Sequence, residues 1–260
     1  METLEDLMRA DWQRLNASVS YILREELLNN TTTSLVAVIF AMSIIAHASV
    51  ANSITESITL PSAGIITYTS SSTILVKVSA SHDDAGAWWD WTAGGWYHDW
   101  ELEKSHVSVG HFEMGDRYYN GGLKFTNVEI PQGAKIISAL LKFCADQTCM
   151  GTRARWNIYG QNSRDSNEFS TIDDFLARQK TVAVIDTGFL PVWVEGEWYT
   201  NPDIAAIIQE IVNRPDWESG KALALLLYGH AEASTTHEIR SYDANPSQAA
   251  TLEVTYEAVG

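Results

Sequence analysis

The sequence predicts an all-β fold, a jelly-roll-like β-sandwich with one short helix near residues 202–213, preceded by an N-terminal helical and hydrophobic leader. Three observations predict it. Short segments rich in apolar residues recur from residue 74 onward, turn residues separate them, and one stretch has helical spacing with capping signals. The chain has 260 residues, and the roughly 210 residues behind a leader suffice for a single large β domain.

Residues 1–51 are predicted to be an amphipathic segment followed by a hydrophobic signal or anchor. Apolar residues recur every three or four positions in residues 1–30, and an uncharged run from Leu35 to Ala51 ends in small residues that suit cleavage. Its apolar core is shorter than the roughly 20 residues that span a bilayer. A cleaved signal peptide, a retained anchor and a buried helix of an assembly stay open. We expect residues 52–260 to lie outside the cytoplasm, extracellular or at the cell surface.

Seven segments of residues 52–260, a single predicted domain, have the apolar content or the alternation of strands. They are Ile74–Ala80, Leu123–Ile130, Ile136–Phe143, Ala154–Tyr159, Val182–Ile185, Ala222–Tyr228 and Thr251–Tyr256. Glycine, proline, asparagine and aspartate predict turns at residues 120–122, 131–133 and 186–188. The helix is predicted to begin after Asn201 as its N-cap and to end before Pro215.

The net charge disfavours two classes of partner. The chain has 17 Lys and Arg against 33 Asp and Glu, a formal charge of −16 at pH 7. Nucleic acids and anionic lipids both attract basic surfaces. We therefore expect no nucleic-acid partner, and membrane contact only through the N-terminal segment if it stays uncleaved.

The two cysteines of the chain, Cys144 and Cys149, lie close together in sequence. Export to an oxidising compartment favours a disulfide, so the spacing predicts a bridge that closes a short loop. A redox motif needs two residues between the cysteines, and a zinc site needs further ligands.

Several phrases follow one another in order along residues 74–257. They are VKVSASHDDA from Val76, GLKF from Gly122, IPQGAKI from Ile130, the helical phrase of residues 202–217 with the following SGKALAL, and SYD from Ser241 with the closing TLEVTY. In this order they resemble the superfamily of disaggregatase-related (DNRLRE-type) and carbohydrate-binding-like domains of exported proteins. The resemblance implies an exported β-sandwich but no single function, because members range from polysaccharide recognition to passive structure.

The sequence departs from that superfamily after Asp84, where residues 82–100 hold five of the ten tryptophans. Aromatic rings can stack on the C–H face of a sugar while neighbouring aspartates bond its hydroxyl groups. We expect this segment to be an exposed loop on a rigid sandwich. Packing within the chain and contact with another protein are the other interpretations. The predicted ligand-binding residues are Trp88, Trp89, Trp91, Trp96, Tyr97 and Trp100.

Asp83, Asp84 and Asp243 are the predicted metal ligands, and calcium is the expected cofactor. Ca²⁺ takes six to eight oxygen ligands, and paired aspartates in loops suit it. The resemblance implies a structural calcium that bridges the first and last strands. The alternative is that Asp84 and Asp243 cap turns by accepting hydrogen bonds from backbone amides.

No motif of catalysis is present in the sequence. A nucleophile elbow, a phosphate loop and a dinucleotide-binding motif are all missing. Among 33 acidic residues some pairs arise by chance, and we assign Asp173 and Asp174 to a solvated short helix. The histidines at positions 98, 106 and 111 lack the spacing of a zinc site. We therefore expect a protein that is not an enzyme, with a hydrolase or lyase as the catalytic alternative.

Together these patterns favour an exported, non-catalytic surface module that binds a polysaccharide or glycan. The alternative function is a structural subunit of an extracellular filament or surface assembly, and hence a homo-oligomer. The apolar helical face of the leader and its hydrophobic run favour that alternative.

Overall fold

A computed structural model describes residues 56–60, 64–68, 71–92, 95–112, 116–149 and 151–258. Side chains are described from residue 71 onward, apart from those of residues 90–98. The predicted leader, residues 1–51, lies outside the described residues.

The described chain forms fourteen strands and two α-helices, with a 3-10 turn at Ser81–Asp83. The strands are β1 (Glu56–Leu60), β2 (Gly64–Tyr68), β3 (Ser71–Lys77), β4 (Asp84–Thr92), β5 (Gly95–Glu101), β6 (His106–Phe112), β7 (Arg117–Val128), β8 (Lys135–Cys144), β9 (Trp156–Gln161), β10 (Lys180–Asp186), β11 (Trp198–Thr200), β12 (Lys221–Gly229), β13 (Thr236–Arg240) and β14 (Thr251–Glu257). The helices are α1 (Ile172–Ala177) and α2 (Ala205–Val212).

Two antiparallel sheets form the predicted β-sandwich. The larger sheet has eight strands in the order β10-β9-β12-β7-β4-β5, with β6 paired to β7 and β13 paired to β6. The smaller sheet has four strands in the order β11-β8-β14-β3. Strands β1 and β2 pair with each other. The all-β fold class is therefore confirmed, and each of the seven predicted strands overlaps an observed one.

The main hydrophobic core contains side chains from both sheets and from α2. Strands β7 and β12 bury Phe125 and Leu225, while β8 and β14 bury Phe143 and Val254 in the same cluster. Three isoleucines of α2 complete this cluster: Ile207, Ile208 and Ile211. The apolar stripe that predicted the helix is thus the face that the core buries.

The predicted helix is present but begins later than expected. Asp203, rather than Asn201, accepts the hydrogen bond at its start, because its Oδ1 lies 2.8 Å from the backbone nitrogen of Ala205. The same oxygen accepts from the backbone nitrogen of Ala139 at 2.9 Å. Asn201 instead continues the strand pairing, since its backbone nitrogen donates to Leu141 O at 3.1 Å.

A second hydrophobic cluster covers the other face of the larger sheet. Ala224 and Leu226 of β12 pack there with Phe169 and with Phe175 of α1, while Leu225 belongs to the main core. Successive side chains of a strand point to opposite faces, so β12 is buried on both sides. This double burial explains the continuous apolar sequence that predicted a central strand.

The turn predicted at residues 120–122 is wrong, because these residues lie within β7. A Cβ atom on Gly121 would lie 2.5 Å from Val107 Cγ1, and one on Gly122 would lie 2.3 Å from Phe169 Cζ. The two glycines are therefore explained by side chains that press on both faces of the strand.

The loop predicted for the tryptophan-rich segment is also wrong, because β4 and β5 form an antiparallel pair. Trp88 pairs with Asp99, and Ala87 pairs with Trp100. Aromatic residues favour strands, and β4 is held on its other side by β7.

The predicted disulfide is absent, because Cys144 and Cys149 are both free thiols. The Cys144 sulfur is buried at the end of β8 and lies 3.5 Å from Gly196 O. The Cys149 sulfur lies 3.0 Å from Thr236 O, beside another strand. The two sulfur atoms thus have different neighbours.

We predict that Gly122→Ala destabilises the fold by about 1–3 kcal/mol, because the added methyl group collides with the buried ring of Phe169. The free energy of unfolding in urea measures this loss. Gly86→Ala is the matched control on the neighbouring strand, since its Cβ would meet its nearest atom at 3.4 Å. Equal effects of the two substitutions would contradict this packing.

Candidate ligand-binding site

Four aromatic residues meet at one end of the larger sheet in two cross-strand pairs. Trp88 of β4 lies opposite Tyr119 of β7, and Trp89 lies opposite Tyr118. We call these four residues the aromatic block. All four side chains are half-buried, and they lie beyond Asn120, the last residue of β7 in register with β12. Large aromatic residues left partly open to solvent are typical of contact surfaces.

One side of the aromatic block carries an arginine. The Arg117 guanidinium carbon lies 4.4 Å from the centre of the Trp88 ring, a cation–π contact. Its Nη1 donates to the Tyr119 hydroxyl group at 3.4 Å. Positions 117 and 119 alternate with 118, so these groups share one face of β7.

The other side of the aromatic block carries a row of three rings. The Trp89 and Tyr118 centroids are 6.5 Å apart at 26°, and those of Tyr118 and His111 are 4.3 Å apart at 27°. The His111 ring is held in place by contacts at both nitrogens: its Nδ1 lies 2.9 Å from Ala233 O and its Nε2 lies 2.9 Å from Asp116 Oδ1. Burial raises the pKa of Tyr118, and the Asp116 carboxylate raises it further. The exposed carboxylate of Asp116 therefore lies close to the half-exposed ring of Tyr118.

Trp100 has a packing role in the structure. Its ring lies 5.7 Å from that of Phe175 and 6.5 Å from that of Phe169, within the second hydrophobic cluster. Its indole nitrogen is buried and has no hydrogen-bond partner in the described part of the chain. The packing interpretation of the tryptophan-rich segment therefore applies to this ring.

The remaining predicted sugar-binding residues lie on the same hairpin. Trp91 pairs with Trp96, and Tyr97 pairs with Asp90. Their side chains lie outside the described set, so their part in ligand binding stays a prediction. Tyr118 and Tyr119 were missed by sequence reasoning, although an adjacent tyrosine pair before a predicted strand was a visible signal.

The three predicted calcium ligands lie close together and already have partners. Asp83 is buried, with its Oδ1 2.7 Å from Lys124 Nζ. Asp84 Oδ2 accepts from the backbone nitrogen of Tyr242 at 2.7 Å, as the capping alternative expected. Asp243 accepts a short hydrogen bond from the Ser81 hydroxyl group.

The electrostatics of this aspartate group are unusual. Burial raises the pKa of Asp84 to about 7, and the nearby Asp243 and Asp83 carboxylates add to the effect, while the hydrogen bond from Tyr242 opposes it. Calcium would have to compete with the Lys124 ammonium group for Asp83. The present contacts thus fit a calcium ion poorly, and calcium binding at these residues stays a prediction.

A scan against protein-family models finds no match for the chain, and a search of curated proteins finds no similar sequence. The resemblance to exported carbohydrate-binding-like domains therefore stays a prediction. Neither described helix has the length and apolar character needed to cross a membrane.

The titration of Asp84 predicts a pH-dependent stability. Between pH 4 and pH 7 the folded protein keeps a proton that an unfolded aspartate, with a pKa near 3.8, releases, so stability falls as pH rises. The loss reaches up to about 4 kcal/mol above pH 7. Asp84→Asn removes this titration and keeps an acceptor for the Tyr242 amide.

Urea unfolding of both proteins from pH 4 to pH 8 measures the effect. The wild type should lose stability relative to Asp84→Asn across this range, whereas Asp173→Asn, an exposed control on α1, should follow the wild type. Parallel profiles of wild type and Asp84→Asn would show that Asp84 titrates normally.

Proposed function

We propose that this protein is an exported, non-catalytic surface module that binds a neutral polysaccharide or glycan. The Trp89 and Tyr118 side of the aromatic block is the contact surface. One observation carries the proposal: the half-exposed rings of Trp89 and Tyr118 lie at 26° to each other, and the exposed carboxylate of Asp116 lies close enough to Tyr118 to raise its pKa. Rings supply a flat apolar surface for the C–H groups of a sugar, and a carboxylate accepts hydrogen bonds from its hydroxyl groups.

The surroundings of these rings support a preformed site. Both rings belong to strands of the larger sheet, and the Tyr118 ring stacks on the buried ring of His111. Side chains held in one geometry lose little conformational entropy when a ligand binds. A preformed pair of rings is thus suited to a ligand with flat C–H faces, such as a sugar unit.

The charge of the chain selects the class of glycan. With a net charge of −16, the protein repels strongly acidic polysaccharides at low ionic strength. Asp116, whose carboxylate raises the pKa of Tyr118, is also an acid. We therefore expect neutral sugars to bind in preference to sulfated or uronic-acid polymers.

Binding to a neutral glycan array, followed by calorimetry on the strongest ligand, tests the proposal. Trp89→Ala and Tyr118→Ala should each weaken binding about tenfold or more, since each removes a stacking surface worth at least about 1.4 kcal/mol. Trp198→Ala is the matched control, because this tryptophan is 47% exposed on β11 of the smaller sheet.

Thermal unfolding of each variant separates lost binding from lost structure. Two results would reject glycan binding at this surface: no neutral glycan retained by the wild type, or affinities of the Trp89 and Tyr118 variants within twofold of wild type. The first result would leave the structural-subunit alternative as the better description.

A further inference from the structure

A histidine and two carboxylates from three distant parts of the chain meet at the edge of the larger sheet. They are His106 at the start of β6, Asp146 just after β8, and Glu238 in β13. One ligand atom from each lies within 4.8 Å of the other two, the one such group of three that the described residues contain. Motifs in a linear sequence cannot reveal this group, because its members are separated by long stretches of chain.

The backbone holds these three residues in place. His106 lies opposite Arg240 in the pairing of β6 with β13, and the backbone nitrogen of Asp146 donates to Glu238 O at 2.9 Å. An isolated bridge between Ala145 and Ile239 joins the same segments. The three side chains therefore converge because β8 of the smaller sheet runs on to meet β13 of the larger one.

The distances from His106 Nδ1 to the two carboxylates are longer than hydrogen bonds and close to those between neighbouring ligands of one metal ion. His106 Nδ1 lies 3.7 Å from Asp146 Oδ2 and 3.8 Å from Glu238 Oε2. Hydrogen bonds between such atoms are shorter than about 3.2 Å. Neighbouring ligands of a tetrahedral Zn²⁺ ion with bonds of about 2.1 Å lie about 3.4 Å apart. The two distances from the histidine exceed this value by a few tenths of an ångström, and the two carboxylates lie within 4.8 Å of each other.

Neighbouring polar groups contact two of the three ligand side chains. Arg240 Nε donates to Asp146 Oδ1 at 2.9 Å, which fixes that carboxylate while its Oδ2 faces His106. The Ser105 hydroxyl group lies 3.1 Å from His106 Nδ1, so an ion that binds this nitrogen displaces that hydrogen bond. The ligand side chains are 30%, 18% and 19% exposed, so an ion can enter from solvent.

From this geometry we propose that His106, Asp146 and Glu238 form a binding site for a divalent transition-metal ion such as Zn²⁺. One imidazole nitrogen and two carboxylate oxygens are ligands that Zn²⁺ accepts, and water can complete the coordination. Two carboxylates and a neutral histidine supply two negative charges to a dication. The ion links β6, β13 and the segment after β8, and so clamps the two sheets together at this edge.

Calorimetry of the full chain without an affinity tag, with Zn²⁺ alone, tests the site. We expect one Zn²⁺ per chain in the wild type and at least about tenfold weaker binding in His106→Ala and Glu238→Gln. His82→Ala is the control, since His82 is a surface histidine with a single carboxylate neighbour, Glu103, at 3.3 Å. If His106→Ala fails to fold, the nearly isosteric Glu238→Gln still reports on the site.

Thermal unfolding with and without Zn²⁺ tests the clamp, and Co²⁺ absorption in the visible range reports the coordination. Zn²⁺ should raise the Tm of the wild type and of His82→Ala but not that of His106→Ala or Glu238→Gln. The proposal is overturned if the wild type binds no Zn²⁺ at millimolar concentration, if both ligand variants bind as tightly as the wild type, or if Zn²⁺ leaves the wild-type Tm unchanged. These outcomes are independent of glycan binding.

Discussion

Burial of the central strands of the larger sheet on both faces is the constraint on which the rest of the structure depends. Strand β12 places Leu225 in the main core and Leu226 in the second cluster. Its neighbour β7 is also buried on both faces, and there Gly121 and Gly122 leave room for the side chains of Val107 and Phe169. A sheet with apolar side chains on both faces must be packed against a layer on each side, and the smaller sheet supplies only one of these layers. The segment with Phe169 and α1 supplies the other.

The tryptophan-rich hairpin combines the roles that sequence reasoning had kept apart. Where the segment with Phe169 and α1 packs on the larger sheet, Trp100 contacts the rings of Phe169 and Phe175. Beyond the end of the β12 pairing, Trp88 and Trp89 are half-buried, and Trp89 also packs against the second cluster. Adjacent positions of a strand point to opposite faces, which explains why Trp88 contacts Arg117 while Trp89 contacts Tyr118. Packing and surface exposure therefore occur together in this hairpin, and Trp89 has both.

Sequence patterns predicted those elements whose burial is shared by residues that are neighbours in the chain. The apolar run of β12 and the apolar stripe of α2 each reflect burial that neighbouring residues share, so strand and helix were both found. The turn at residues 131–133 was also found, where Ala134 N donates to Pro131 O at 3.1 Å. The glycine pair of β7 was misjudged as a turn because its cause, the side chains of Val107 and Phe169, lies elsewhere in the chain.

The same distinction applies to the two candidate sites: single residues could be found in the sequence, but their partners in the fold could not. Trp89 was predicted from composition, but its partner Tyr118 follows from the register of β4 and β7, which no local pattern contains. His106 was compared only with histidines near it in sequence, because Asp146 and Glu238, its neighbours in the fold, lie far from it along the chain. Both sites therefore arise from topology: strands that are distant in sequence are brought side by side, and their side chains acquire partners there.

The central claim is that the larger sheet leaves one aromatic surface, around Trp89 and Tyr118, free for a neutral glycan. Indole N–H signals in ¹⁵N-resolved NMR spectra, assigned with Trp→Phe variants and followed during titration with neutral oligosaccharides, test it most directly. The account predicts shifts of the Trp89 signal, while those of Trp156 and Trp193, which are buried in the main core, stay fixed. Shifts confined to Trp198 of the smaller sheet, or no shift of any indole signal, would contradict it.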